Sequence, residues 1–307
     1  MGASSRVGVL CCLGAAVVWS SGGLFIKLVD LPAVEIAGLR GLLSAFFFAT
    51  LALASRTRAV EAGRARWTPA AVAGAVSAAF TFLFFVVATK WTTAAAAIFL
   101  QSTAPAWVLA LGWAVLGLAP GPRDAAALAG CSAGLSLFFF GRLTGASFWG
   151  NVAALASGCA FGIHMLAMRQ VSASLRLAVL AAGNALAAAL ALGFAVTGAA
   201  AVLVREPRVF AWPNAGQWLY LAYLGVGQIG LGYYLFVLAI QRIPSLQASL
   251  LVLLEPVLNP VWVYLGTGEA PGAWACAGGA LVLATLAWHT GSSPRSPGQR
   301  EAADSRD

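Results

Sequence analysis

Charge is what this chain has least of. Only 9% of its 307 residues are Asp, Glu, Lys or Arg, against about 25% in soluble domains. That shortage excludes an ordinary water-soluble globule, and the mean hydropathy of +0.86 agrees. Segments of about 10 residues with strict apolar–polar alternation are missing as well, which excludes a membrane β-barrel. There is no phosphate loop, so ATP does not drive this protein from within its own chain. There is also no zinc-protease motif, no nucleophile elbow and no paired aspartate cluster. The run "GVGQIGLG" (225–232) loosely matches a dinucleotide fingerprint. No strand precedes it and it begins inside an apolar span, so it reads as a packing or hinge segment. The five cysteines are Cys11, Cys12, Cys131, Cys159 and Cys276. All lie in apolar stretches without metal-ligand spacing and read as small packing residues. No cofactor is expected. The formal charge of +8 would suggest nucleic acid in a soluble protein. Here the basic residues sit in loops and ends, so the charge reads as membrane orientation, with no nucleic acid expected.

What the chain has is apolar blocks of roughly 20 residues, the length that crosses about 30 Å of hydrocarbon. Ten spans are expected, at 7–28, 33–54, 70–89, 92–117, 123–141, 148–169, 176–197, 218–240, 244–266 and 272–290. The first is longer than the core of a signal peptide and counts as a true span. The longer connections are 55–69 and 198–217, and the polar tail 291–307 is expected to be disordered. An even number of spans puts both ends on one side. Twelve basic residues fall on that side and six on the other, which places both termini, 1–6 included, in the cytoplasm. Two lysines against sixteen arginines point to a GC-rich genome and fit a bacterial inner membrane.

The chain also repeats itself. "LGLAPG" (116–121) returns as "TGEAPG" (267–272), an offset of 151. Over 71–121 that offset gives twelve identities in 51 positions, with Pro105 on Pro256 and Gly74 on Gly225. In the first spans an offset of 142 sets Trp19 on Phe161, Lys27 on Arg169 and Gly41 on Gly183. Each copy, 7–142 and 147–290, holds five spans. Five is odd, so the second copy enters the membrane from the opposite face. The expected fold class is therefore all-α integral membrane, ten transmembrane helices as two inverted five-helix repeats. That architecture favours a secondary transporter with a solute site near the midplane.

Three stretches carry a family resemblance: "VVWSSGGLFIK", "EIAGLRGLLSAFFF" and "ASLLVLLEPVLNPVWVYLGTGEAPG". With them the chain resembles the drug/metabolite transporter superfamily, EamA type, over about residues 7–290. The resemblance implies ten helices, a central cavity, and export or exchange of small metabolites such as amino acids or drugs. The family often carries a Glu after the fourth and the ninth spans. Here Glu269 fills the second place and Leu118 the first.

The candidate residues are polar groups at membrane depth. Glu255 falls near the middle of span 9, where an ionisable group costs several kcal/mol and faces protein or water. Asn259 shares its helix face, with Trp262 further along. Pro256 and Pro260 remove two backbone donors beside the carboxylate, and Pro105 is the kink counterpart in the first copy. Glu255 reads as a site for a cationic group or a proton, or else as a brace in a kinked helix. Arg40 suits a solute anion, and Lys27 is expected to reach for the interface. His164 is a proton relay or a packed neutral ring. Asn184, Gln228, Tyr233 and Gln101 line a cavity or tie helices together. Trp19, deeper than most of the tryptophans and followed by Ser20 and Ser21, is placed to stack on a solute. The expected partners are a small-molecule solute and the lipid bilayer, with a homodimer left open. Two other classes stay in view: a membrane enzyme acting on lipid or lipid-linked substrate, with 198–217 as its place, and a scaffold that moves nothing.

Overall fold

The computed structural model describes residues 3–56, 66–117, 121–137, 145–197, 210, 212–240, 242–243, 248, 251–252 and 254–291. Leu118, the tail after Gly291 and most of the connections 55–69 and 198–217 lie outside them. Among the described residues every regular element is helical. In chain order these are α1 (Ala3–Ser20), α2 (Gly22–Leu28), α3 (Ala33–Arg56), α4 (Pro69–Trp91), α5 (Ala94–Gln101), α6 (Ala104–Leu116) and α7 (Pro122–Leu137). There follow α8 (Gly145–Arg169), α9 (Arg176–Val196), α10 (Ala215–Ala222), a π-helix (Tyr223–Leu231), α11 (Gly232–Ile240), α12 (Leu254–Thr267) and α13 (Ala273–Gly291). Seven helical stretches are long and apolar enough to cross a membrane, and α13 is a shorter apolar helix. The protein is a multi-pass membrane protein.

Local chemistry sets the ends. The Thr68 hydroxyl accepts the Ala71 N–H at 3.2 Å, and Pro69 opens α4 where its missing donor costs nothing. Asn214 and Gln217 cap α10 reciprocally at 2.9 Å each. Gly117 and Gly268, a pair superposed by the 151 offset, end α6 and α12 with φ of 67° and 74°. That left-handed conformation suits glycine.

Three expected spans are not plain helices. The first is broken at Ser21, between α1 and α2, and the fourth at Ser102–Thr103, between α5 and α6. The eighth begins at Ala215 and is π-helical over nine residues. Pro105 stands in the first turn of α6, so it opens a helix and does not bend one. Hydroxyls repair the break beside it: Ser102 donates to the Ile98 carbonyl at 2.7 Å and Thr103 to that of Leu100 at 2.6 Å.

Glycines and small polar groups seat the helices on one another. On α3, Gly38 faces Leu192 and Gly41 faces Asn184 and Ala188, so α3 and α9 run antiparallel. Gly74 and Thr81 of α4, and Thr92 just past its end, meet His164, Ser157 and Asn151 of antiparallel α8. Gly8 and Gly14 of α1 and Gly22 of α2 meet Arg242, Leu235 and Gln228, again antiparallel. Gly130 and Gly134 of α7 lie on Thr285 and Val282 of α13. Below that seam His289 and Asp124 pair at 2.7 Å. The largest buried cluster joins Ile26, Ile36, Phe85, Val86, Leu100 and Leu224.

A Cβ at Gly41 would stand 3.1 Å from the Asn184 carbonyl oxygen. Gly41→Leu is expected to destabilise the protein by about 1–3 kcal/mol, a typical cost of overpacking. Thermal unfolding in detergent checks this, and an unchanged midpoint would refute the close α3–α9 contact.

Candidate functional site

The polar candidates gather where α1 stops being regular. Ser20 and Ser21 turn their hydroxyls back onto the Val17 and Val18 carbonyls, at 2.7 Å each. They also reach outward. The Ser21 hydroxyl lies 2.7 Å from that of Tyr223, and Trp262 Nε1 donates to Ser20 Oγ at 2.9 Å. Gln228 donates to the Trp19 carbonyl at 3.3 Å. The Trp19 ring meets Tyr233 edge-on with centroids 5.1 Å apart and Phe236 at 5.4 Å. On its other side Tyr233 meets Phe48 at 6.1 Å.

Glu255 joins this group through helix register. Cys12 Sγ lies 3.7 Å from the Ala248 carbonyl, a separation of 236 residues. Gly23 lies on Asn259 with the same separation, so the two helical paths run parallel and in step. Carried along, that register sets Glu255 level with Trp19. The carboxylate is half-buried and has no hydrogen bond or ion pair among the described residues.

Missing partners distinguish the cluster. Trp19 Nε1, Gln228 Oε1 and both Asn259 side-chain atoms are buried without a hydrogen bond. Asn259 is 0% exposed. Buried polar atoms are almost always paired, and at membrane depth there is little water to substitute. Such a concentration marks a place prepared for something polar. The packing around it is close. Trp19 lies directly on Gly232, Gln228 on Gly22 and Asn259 on Gly23, so a solute enters only if these elements part. On its other side α12 borders an apolar cavity of about 270 Å³, lined by Pro260, Val257, Phe99 and Cys276 but by none of the polar candidates.

Five of the nine expected site residues therefore come together: Trp19, Gln228, Tyr233, Asn259 and Glu255. Arg40 borders them on α3. It is 2% exposed, donates to the Phe82 carbonyl at 3.2 Å, and its own carbonyl lies against Gly225. No carboxylate pairs with it among the described residues. The other three stand apart: His164 and Gln101 tie helices together, and Asn184 bonds within its own helix. His164 Nδ1–H donates to the Gly74 carbonyl at 2.8 Å. Gln101 donates to Ser157 at 2.8 Å, which donates on to the Thr81 carbonyl at 2.9 Å. Asn184 donates to the Leu180 carbonyl at 2.9 Å, at the α3–α9 seam, and its Oδ1 is unpartnered. Lys27, at the end of α2, pairs with Glu269 at 2.7 Å. Sequence reasoning missed Tyr223 and Phe236; their only signal is proximity to the glycine-rich run.

The profile of the EamA-like transporter family matches residues 6–140 and again 148–291. The chain belongs to the EamA-like transporter family. This EamA-like protein is thus a membrane transporter of small solutes. A search of curated proteins gives no match. The solved structures similar to it include a crystal structure with a TM-score of 0.62 and 20% identity, the match covering 94% of this chain and 99% of that one. At that identity the likeness speaks for the fold alone.

His164→Phe removes the donor that α8 supplies to the Gly74 carbonyl, which keeps the Ser77 hydroxyl at 3.2 Å, at a cost of about 1 kcal/mol. The expected result is a lower unfolding temperature with an unchanged pH profile of solute flux. A flattened pH profile would instead make His164 a proton carrier.

Proposed function

We propose that this EamA-like protein is a secondary active transporter that works by alternating access, with its solute held between two inverted five-helix repeats. The contact pattern supports the inversion. An inverted pair exchanges the first span with the sixth, the second with the seventh and the third with the eighth. Under that exchange the α1 seam on the π-helix and α11 becomes the α8 seam on α4, and both are antiparallel. The α3–α9 and α7–α13 seams map onto themselves. Gly117 and Gly268 take equivalent left-handed turns.

The observation that carries the functional reading is the set of four buried, unpartnered polar atoms on Trp19, Gln228 and Asn259, at the level of the unpaired Glu255 carboxylate. A protonated amine on the solute satisfies that carboxylate, and the Trp19 and Tyr233 rings favour a cation by their quadrupoles. Arg40, buried without a carboxylate, suits an anionic group on the same solute. Amino acids and cationic drugs both fit this chemistry. The mode is export or exchange, from a bacterial inner membrane with both termini in the cytoplasm. In the second repeat Glu255 stands where the first has Ala104, so the carboxylate belongs to function and not to the shared frame.

Glu255→Gln keeps shape and removes charge. Flux in proteoliposomes, run with and without a pH gradient across amino acids and cationic drugs, is expected to fall to background while the protein stays folded in the membrane. Normal transport by a well-folded Glu255→Gln protein would remove Glu255 from the site.

A further inference from the structure

We propose that α2 is a gate over this site and that the Lys27–Glu269 ion pair is its latch. The proposal rests on the solute-site reading above and goes beyond it.

The gate is the last seven residues of the first span, Gly22–Leu28, beyond a one-residue irregularity at Ser21, whose φ of −74° and ψ of −13° stay in the helical region. Its first turn covers the unpartnered atoms. Gly22 and Gly23 carry no side chains, and a Cβ on either would lie 2.8 Å from the Gln228 amide or 2.6 Å from Asn259 Oδ1. Two glycines beside a break allow backbone rotation that other residues resist, so the hinge sits next to the groups it hides.

The far end of α2 is held. Lys27 Nζ lies 2.7 Å from Glu269 Oε2 and donates to the Thr92 carbonyl at 2.9 Å. The other oxygen of Glu269 accepts the Ala94 N–H at 2.8 Å, in the first turn of α5. One carboxylate thus ties together the end of α2, the α4–α5 junction and the turn before α13. The side chains are 17% and 27% exposed. Breaking a fully buried pair strands a charge at a cost of about 3–5 kcal/mol. A partly wet pair is worth about 1 kcal/mol or less, because water takes over when it opens. This latch is therefore reversible within one transport cycle.

The repeat supplies the second argument. The counterparts of Lys27 and Glu269 are Arg169 and Leu118. The opposite face keeps a cation, exposed at the end of α8, but its matching position has no carboxylate. The latch exists at one face only, so the resting protein is closed there by preference. Chain direction says which face. The path α1–α2 ends at the latch and α13 begins beside it, so the start of α1 and the end of α13 lie at the other face.

The test reads opening directly, without any solute. In a Ser21→Cys background, a membrane-impermeant maleimide is applied to the latch face. Labelling at position 21 is followed by peptide mass spectrometry, which separates it from the five native cysteines. Glu269→Gln and Lys27→Met are each expected to speed labelling roughly fivefold, the shift that about 1 kcal/mol produces. Bridging a Lys27→Cys/Glu269→Cys double variant with a short bismaleimide is expected to slow it below the parent rate. Unchanged labelling in the folded single variants, or in the bridged protein, overturns the latch. Faster labelling together with normal flux in Glu255→Gln would keep the gate and discard the solute site.

Discussion

In hydrocarbon a backbone or side-chain polar group has almost no water to fall back on, and this chain arranges itself around that constraint. Wherever regular helix fails, a hydroxyl stands ready. Ser20, Ser21, Ser102 and Thr103 each turn back onto a carbonyl of the preceding turn. The break in the fourth span is satisfied this way and packed against α8, with Gly158 lying on the Leu100 and Gln101 carbonyls. Beside the break in the first span, Trp19, Gln228 and Asn259 keep unspent hydrogen-bonding capacity. The same device thus closes one break completely and leaves unpaired polar atoms beside the other.

The helices approach closely because their seams are made of small residues. Without a hydrophobic drive between helices in lipid, contact area and hydrogen bonds do the holding. Gly38 and Gly41 on α3, and Gly130 and Gly134 on α7, serve this purpose. The polar ties cross the same seams: His164 to Gly74, Ser157 to Thr81, Thr92 to Asn151. Each tie joins groups far apart in the chain, so the repeats are interlocked and do not merely abut.

Much of this was legible in the sequence because the bilayer fixes helix length and the repeat fixes which positions answer each other. Glu255 and Asn259 could be put on one face from a spacing of four, and that face meets α1. Pro105 and Pro256 were recognisable as a pair, though Pro105 turned out to open a helix. Other features depend on partners distant in the chain. No local pattern distinguishes Lys27 snorkelling to water from Lys27 bound to Glu269. Gln101 and His164 looked the same as Gln228 in composition and depth; only their bonds to Ser157 and Gly74 make them braces. The π-helix was invisible for the same reason. Its glycines signal close contact, but the partners of Gln228 and Tyr223, the Trp19 carbonyl and the Ser21 hydroxyl, lie 209 and 202 residues away in the chain.

That π-helix has a consequence for how the span can change. Its i→i+5 closure accommodates an extra residue in each turn compared with the α-helix, so residues 223–231 form a small reserve of chain. The span can give up one of them, close as α-helix and still cross the bilayer. The residue lost is the one the wide turn had absorbed, so Tyr233 and Gly232 beyond it keep roughly the side they now turn to Trp19. Length in this segment is therefore negotiable, and the span can lose a residue here without being dismantled.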